Sequence, residues 1–179
     1  MKDVSHFGSR ARPDLGSRLN GALLLAFRLP VYVYRLGLGR ALGHRFLLLV
    51  SKGRRSGLLR ETVLEAVRYD PATRESVVLS GRGEKADWYR NVRASPALEI
   101  RTGGERYVPE QRFLAPEENH AVIMEYARRH PLAFRFLVKA FGFGYPLDET
   151  DGARRRFAGS LRLVAFRPSD KTNGRVPLG

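Results

Sequence analysis

Short apolar runs separated by turn-forming residues fill the middle of the chain. Residues 46–50 are all apolar, which is typical of a buried strand. Runs of this kind predict strands near 45–51, 58–69, 75–80, 97–102, 105–114 and 161–166. Residues 70–74 contain Asp70 and Pro71 and predict a turn, and Gly103-Gly104 predicts a tight hairpin. Pro109 cannot donate a ladder hydrogen bond, so it predicts an edge or a bulge in its strand.

Helical segments are predicted between and after these strands. A short helix is expected over 86–93, with Asp87 able to cap it and Ser95-Pro96 ending it. Pro116 and the acidic residues after it predict the start of a helix that runs to about His130. Two further helices are predicted over 132–140 and 150–158, with a loop over 141–146 between them. Strands joined mainly by hairpins, with helices around them, indicate an α+β fold built on a small antiparallel barrel.

The N-terminal residues 1–44 form a helical segment in this prediction, and residues 45–179 form the barrel, in one structural domain. Leu19–Leu38 is the most apolar stretch, but Arg28, Pro30 and Arg35 interrupt it, so it predicts neither a spanning helix nor a signal peptide. A helix over about 14–28 would be apolar on more than one side. Such a helix could cover the core, meet a second subunit, cover the acceptor side of the pocket, or make weak contact with an anionic membrane. The expected location is therefore cytoplasmic, with or without peripheral contact at the inner face of the membrane.

The net charge indicates which kinds of partner the protein binds. The net charge is +14, which favours anionic partners: nucleic acid, acidic lipid or a polyanionic small molecule. The sequence has no cysteine, so disulfides and cysteine-based metal sites are excluded. The four histidines lack the spacing of a metal site, and we expect no bound metal.

The basic segment 52–60 follows the first predicted strand and packs four cationic residues, a serine and two glycines into nine positions. Glycines allow close approach of the backbone, while arginine forks, a hydroxyl and free N–H groups bind phosphate or carboxylate well. The alternative is a solvated basic hairpin. The pattern of a Walker phosphate-binding loop is absent.

A second candidate segment begins at the end of the third predicted strand. Residues 80–85 read Ser-Gly-Arg-Gly-Glu-Lys, a loop at a strand end, where ligand contacts are common. Trp88, the only tryptophan, follows on the short predicted helix. It could cover a planar ligand, and core packing is the alternative.

Together the two segments resemble the deazaflavin-dependent nitroreductase family. The resemblance rests on Gly53-Arg54-Arg55-Ser56-Gly57-x-x-Arg60 after an apolar strand, then Ser80-Gly81, then the stretch 88–96, Trp-Tyr-Arg-Asn-Val-Arg-Ala-Ser-Pro. It is dense over about 45–115. It implies a split β-barrel of about six strands and reduced coenzyme F420 as cofactor, favoured over FMN. It also implies hydride transfer to a small electron-poor acceptor: a nitroaromatic, a quinone or an activated alkene.

The resemblance also implies roles for individual residues. The basic segment would hold the phosphate and anionic tail of the cofactor, Ser80 and Gly81 would contact the ring edge, and Trp88 would shape the pocket. The residues expected to bind the cofactor are Lys52, Arg54, Arg55, Ser56, Gly57, Arg60, Thr62, Ser80, Gly81, Arg82, Trp88, Tyr89 and Asn91. Tyr126 and Tyr145 are candidate proton donors, with packing as the alternative for each.

Two departures from the family pattern concern the acceptor. Family members often carry a proline where this chain reads Arg-Glu-Thr-Val-Leu-Glu over 60–65, and many carry His-Pro where it reads Lys-Ala-Asp over 85–87. Glu65 therefore places a carboxylate on a strand near the expected pocket.

Two other classes of function remain open from the sequence. One is a non-catalytic barrel that binds FMN or a lipid. The other is a basic nucleic-acid-binding protein, which the lack of an aromatic-interleaved strand motif or a helix-turn-helix pattern argues against, so no specific nucleic acid is expected. A monomer and a homodimer are equally compatible with the pattern.

Overall fold

The computed structural model describes residues 42–140 and 150–169, and it contains seven strands and four helices in these ranges. The strands are β1 (Phe46–Lys52), β2 (Leu59–Asp70), β3 (Glu75–Leu79), β4 (Glu99–Thr102), β5 (Glu105–Tyr107), β6 (Pro109–Phe113) and β7 (Leu163–Pro168). The helices are α1 (Asp87–Ala94), α2 (Pro116–Arg129), α3 (Pro131–Ala140) and α4 (Asp151–Ser160), and a short 3-10 turn covers Gly83–Lys85. The predicted helix over 14–28, nearly all of the segment 1–44, the loop 141–146 and Tyr145 lie outside the described residues.

All seven strands form one antiparallel sheet in the order β5-β4-β1-β2-β3-β7-β6. Its two outermost strands, β5 and β6, are separated in the chain by Val108 alone. The sheet must therefore curl until its two edges meet, which makes a nearly closed barrel. The Ser169 N–H donates to the Val108 carbonyl at this corner, at 3.0 Å. The predicted α+β class and antiparallel barrel are confirmed.

One predicted strand is two strands in the structure. The range 105–114 divides at Val108, because β5 pairs with β4 whereas β6 pairs with β7 on the opposite edge. Pro109 begins β6, in agreement with its predicted effect on the strand. The barrel has seven strands rather than about six for this reason.

The predicted turns have the expected geometry. Asp70 caps the β2–β3 turn by accepting hydrogen bonds from the Ala72 N–H at 2.9 Å and the Thr73 hydroxyl at 2.8 Å. Gly103 and Gly104 connect β4 to β5 with φ values of 57° and 84°, which glycine adopts without steric cost.

A change of register in β2 turns this long strand from one neighbour to another. Its first part pairs with β1 as far as Glu65, opposite Phe46, and its second part pairs with β3 from Ala66 onward. The register shifts between Ala66 and Arg68, as in a β-bulge, which bends a strand and redirects its side chains. Glu65 therefore lies where the barrel wall bends.

Apolar side chains cover both faces of the sheet. Successive residues of a strand point to opposite faces, and Val78 accordingly belongs to one buried cluster while Val77 belongs to another. The first cluster joins the sheet to α1 through Trp88 and Tyr89, and the second joins it to α2 and α3. Double-sided burial explains why these strands read as continuous apolar runs. None of the helices in residues 42–140 and 150–169 combines the length and apolar character needed to cross a membrane.

Replacing Gly103 by Ala should destabilise the protein more than replacing Gly83 by Ala. Both glycines have left-handed φ values, but a Cβ at Gly103 would overlap the His44 ring, whereas a Cβ at Gly83 meets nothing within 4 Å. His44 is held in place by stacking on Tyr69, with ring centroids 3.9 Å apart. Overpacking of this kind costs about 1–3 kcal/mol, so urea unfolding should show that difference between the two variants. Equal losses would show that the ring moves freely, and adding His44→Ala to the Gly103 variant should recover part of the loss.

Candidate functional site

The basic hairpin, residues 52–60, is a tight β1–β2 connection. The Gly53 N–H donates to the Leu58 carbonyl and the Gly57 N–H to the Gly53 carbonyl, both at 2.8 Å. A Cβ at Gly53 would lie 2.8 Å from the Ser56 hydroxyl oxygen and 3.3 Å from the Leu58 carbonyl oxygen, so only glycine fits there without a shift. Gly57 has a φ of 69°. The hairpin thus forms a compact turn that carries Arg54, Arg55 and Ser56 at its tip.

Arg54 fastens the basic hairpin to α1. The Asn91 side-chain oxygen accepts from the Arg54 backbone N–H at 3.2 Å and from its guanidinium at 3.1 Å. The same guanidinium pairs with Asp87 at 2.9 Å, and its hydrogen bond and charge lower the pKa of the Asp87 carboxyl. Arg54 is therefore engaged within the protein, where it holds the hairpin against α1, and its predicted contact with the cofactor stays a prediction.

The prediction that Asp87 caps α1 is wrong. The N-cap residue is Ala86, no side chain bonds to the cap, and Asp87 is the first residue of the helix. A carboxylate in the first turn still favours the helix dipole. Its hydrogen bond goes instead to a cationic partner, Arg54, because charge-assisted hydrogen bonds are stronger than neutral ones.

The remaining cations of the hairpin are free to bind an anion. Lys52, Arg55 and Arg60 are exposed, and within the described residues none of them forms an ion pair or a side-chain hydrogen bond. Ser56 is also exposed, and its hydroxyl accepts from the Leu58 N–H at 3.4 Å. Arg82, in the loop after β3, is a further exposed cation that forms no ion pair or side-chain hydrogen bond in the described residues, and its charge helps to lower the pKa of Asp87. This surface supplies donors and positive charge that the fold itself does not use.

The Trp88 cavity, of about 380 Å³, lies between β2, the loop after β3, α1 and α3. Its lining residues are Thr62, Val63, Leu64, Glu65, Val67, Leu79, Gly81, Arg82, Ala86, Asp87, Trp88, Phe136 and Leu137. Trp88 belongs to the first buried cluster and is 9 % exposed, so it both packs the core and forms part of the cavity wall. Of the residues predicted to bind the cofactor, Thr62, Gly81, Arg82 and Trp88 meet in this cavity.

Ser80, Tyr89 and Asn91 are not among the residues that line the Trp88 cavity. The Ser80 hydroxyl donates to the Gly83 carbonyl at 2.7 Å and shapes the loop that presents Gly81. Tyr89 packs edge-on against Trp88, with ring centroids 5.8 Å apart. These contacts position neighbouring residues of the cavity and the basic hairpin.

The sequence reasoning missed the contribution of α3. Phe136 and Leu137 line the Trp88 cavity, yet they lie far from the other lining residues in sequence. The sequence predicted only that they belong to a helix over 132–140. No local pattern indicates which helix will close a cavity between strands, so this part of the site required the tertiary structure.

Two further cavities adjoin the Trp88 cavity at Glu65. One, of about 260 Å³, is lined by His44, Arg45, Tyr126 and His130 among others. The other, of about 620 Å³, lies against Phe46, Leu132 and Phe136. Glu65 lines all three cavities.

Tyr126 is placed in the 260 Å³ cavity and not in the Trp88 cavity. Its hydroxyl donates to the Glu65 carboxylate at 3.0 Å. Burial and the neighbouring Glu65 charge raise the pKa of the Tyr126 hydroxyl above its usual value of about 10. Tyr126 therefore keeps its proton at neutral pH and reaches the other cavities only through Glu65.

Replacing Asn91 by Ala should loosen the basic hairpin. Asn91 is 5 % exposed, and its loss would leave the Arg54 N–H without its partner, at a cost of about 1–3 kcal/mol. Amide hydrogen exchange at Arg54 should accelerate. The matched variant Asp87→Ala removes an ion pair whose carboxylate is 77 % exposed, and it should have a smaller effect. Equal protection in Asn91→Ala and wild type would contradict this role.

Comparison with known proteins agrees with the sequence motifs. Residues 27–133 match the family described as F420H(2)-dependent quinone reductase. This match confirms the resemblance to deazaflavin-dependent reductases and gives F420 as the cofactor.

No curated protein sequence matches the chain. Several solved structures match it, among them two with a TM-score of 0.46 each. One is an F420-H2 dependent reductase (FDR-A), 16% identical, with 70% of this chain and 96% of that chain covered. The other is described as a domain-swapped dimer, 17% identical, with 77% of this chain and 99% of that chain covered.

Proposed function

We propose, given that this chain belongs to the F420H(2)-dependent quinone reductase family, that it reduces a quinone bound in or beside the Trp88 cavity. Membership of the family makes the chain an oxidoreductase that uses coenzyme F420. We propose a quinone as the acceptor, and we propose which residues bind the quinone and which bind the cofactor. Nitroaromatics and activated alkenes are electron-poor like quinones, and we propose them as further acceptors.

The residues present fit this cofactor. The free cations Lys52, Arg55 and Arg60, with Ser56, would hold the phosphate and anionic tail. The deazaflavin ring would lie in the Trp88 cavity, against Gly81 and Arg82. When bound, the reduced cofactor supplies a hydride. Neither assignment needs Arg54, which already holds the hairpin against α1.

The chain's own residues would orient the acceptor, exclude water and supply a proton. Trp88, Phe136 and Leu137 form apolar walls. Tyr126 holds a proton beside Glu65, and Glu65 faces the Trp88 cavity, so this pair is the proposed source of the proton. Tyr145 stays a second candidate.

The proposal extends to weak contact with an anionic membrane. On α3, Leu132 and Phe136 are 80 % and 46 % exposed, and the exposed cations Arg135 and Lys139 lie on the same helix. Exposed apolar residues beside cations suit a surface of acidic lipid. In this proposal the protein works in the cytoplasm, as a monomer or a homodimer, and co-sedimentation with anionic but not neutral vesicles would support the membrane contact.

The observation that carries the proposed function is a cavity walled by Trp88 and Arg82, whose Asp87 pairs with Arg54 of the basic hairpin that carries the exposed cations. Titration of F420 and FMN, followed by quenching of the single tryptophan, should show tighter binding of F420. Its affinity should fall with rising salt because the tail adds negative charges. The protein should then oxidise reduced F420 only when a quinone is added. FMN bound as tightly as F420, or no oxidation with any quinone, would overturn the proposal.

A further inference from the structure

We propose that Glu65 makes the acceptor site selective for quinones that carry a hydrogen-bond donor, such as an amino group, next to the quinone carbonyl. This inference rests on the proposed function and names the class of acceptor that the site prefers. It depends on the free oxygen of one carboxylate and on where the fold places it.

The two oxygens of Glu65 are used unequally. Oε1 accepts from the Tyr126 hydroxyl at 3.0 Å and from the Arg45 guanidinium at 3.3 Å. Oε2 accepts no hydrogen bond from residues 42–140 or 150–169. The side chain is 23% exposed, and it lines the cavities rather than lying sealed in the core. A ligand in the cavity can therefore reach an acceptor oxygen that has no hydrogen-bond donor in the described residues.

The fold fixes where this oxygen lies. Glu65 is the last β2 residue paired with β1, directly before the register shift that bends β2 toward β3. Its neighbours along the Trp88 cavity are largely apolar, including Val63, Leu64 and Leu137. The other carboxylate of this cavity, Asp87, binds Arg54 through Oδ1, and its side chain is 77% exposed, so water competes for its second oxygen. Glu65 is thus the less exposed of the two carboxylates of the cavity wall, at 23%.

Tyr126 and Arg45 act here as positioning residues. Two donors on Oε1 hold the carboxylate in one orientation. A ligand donor that meets the second oxygen then avoids the entropy cost of ordering a free side chain.

Such an oxygen favours ligands that carry a hydrogen-bond donor and disfavours ligands that lack one. A ligand N–H that meets a carboxylate forms a charge-assisted hydrogen bond. A methyl group in the same place removes water from the oxygen but offers no hydrogen bond to replace it. Sites built for hydrogen bonds therefore reject analogues that lack the donor. The energy of a hydrogen bond to a charged group corresponds to a preference of about tenfold or more.

The test compares 2-amino-1,4-naphthoquinone with 2-methyl-1,4-naphthoquinone, because amino and methyl groups have nearly the same size. Equilibrium dialysis of each quinone against the full chain, saturated with oxidised F420, measures binding without turnover. The chain has no cysteine, so thiol addition to the quinones does not interfere. Wild type should bind the amino compound about tenfold more tightly. Glu65→Leu should abolish the preference, and Glu65→Gln, which keeps the shape and a neutral oxygen, should reduce it.

Glu125→Gln is the matched control. Glu125 lines the 260 Å³ cavity with Tyr126 but not the Trp88 cavity, and this variant should keep the wild-type preference. Equal binding of the two quinones by wild type, or an undiminished preference in Glu65→Gln, would overturn the inference even if Glu65→Leu does not fold. Wild type that reduces both quinones but binds them equally would refute the role of Glu65 alone. Wild type that binds with the preference but never oxidises reduced F420 would refute only the proposed function.

Discussion

Replacing Trp88 by Ala should lower the free energy of unfolding by about 3–5 kcal/mol, the usual cost of removing a large aromatic side chain from a core. Trp88 is 9 % exposed and packs in the cluster that joins α1 to the barrel, edge-on to Tyr89. Urea unfolding followed by far-ultraviolet circular dichroism measures the loss, since the variant has no tryptophan to report by fluorescence. A loss under about 1 kcal/mol would mean that the cavity wall collapses and refills the space.

Trp88→Phe separates the packing role from the role in the cavity. Phenylalanine keeps an aromatic ring in the cluster, so the stability loss should be well below that of the alanine variant. It shortens the wall of the Trp88 cavity, so the affinity for F420, measured by equilibrium dialysis, should fall. Wild-type affinity together with lost stability would show that Trp88 serves the core alone.

Reversing two charges of the basic hairpin, in Arg55→Glu/Arg60→Glu, should weaken F420 binding by about 100-fold or more. Each arginine is proposed to bind an anionic group, and hydrogen bonds to charged groups contribute about 1.5–3 kcal/mol each. The reversed charges also repel the anionic tail. The fold should survive, because both side chains are exposed and have no partner in the described part of the chain.

The control for this variant changes the net charge equally at another place. Arg128 and Arg135 are exposed and lie on α2 and α3. Arg128→Glu/Arg135→Glu should leave F420 affinity within about threefold of wild type, because neither residue belongs to the basic hairpin or lines the Trp88 cavity. Similar losses in both variants would mean that net charge, and not the basic hairpin, attracts the cofactor.

Most elements of the described fold could be predicted from the sequence because their signals are local. The Gly103-Gly104 hairpin, the Asp70 turn and the Pro116 helix start each depend on the conformational preferences of a few adjacent residues. The division of 105–114 into two strands could not be predicted in this way. It depends on which distant strand each half pairs with, β4 for one and β7 for the other.

The candidate site likewise has parts that the sequence predicted and parts that it did not. The basic hairpin and the Trp88 helix were evident because each is a short contiguous segment with an unusual composition. The sequence did not indicate that Arg54 binds Asp87 and Asn91, because these partners lie 33 and 37 residues away in the chain.

The amino-acid sequence by itself determined the α+β class, the positions of most strands and helices, and the family, and it predicts that residues 52–60 bind an anion. These follow from periodicity, turn residues and motifs, which act over a few neighbouring positions. Only the tertiary structure decided that the sheet closes through Val108, that Phe136 lines the Trp88 cavity, and that Glu65 has one oxygen held by Tyr126 and the other without a partner among the described residues. Each of these depends on contacts between residues distant in sequence, which form only when the barrel curls and its helices pack.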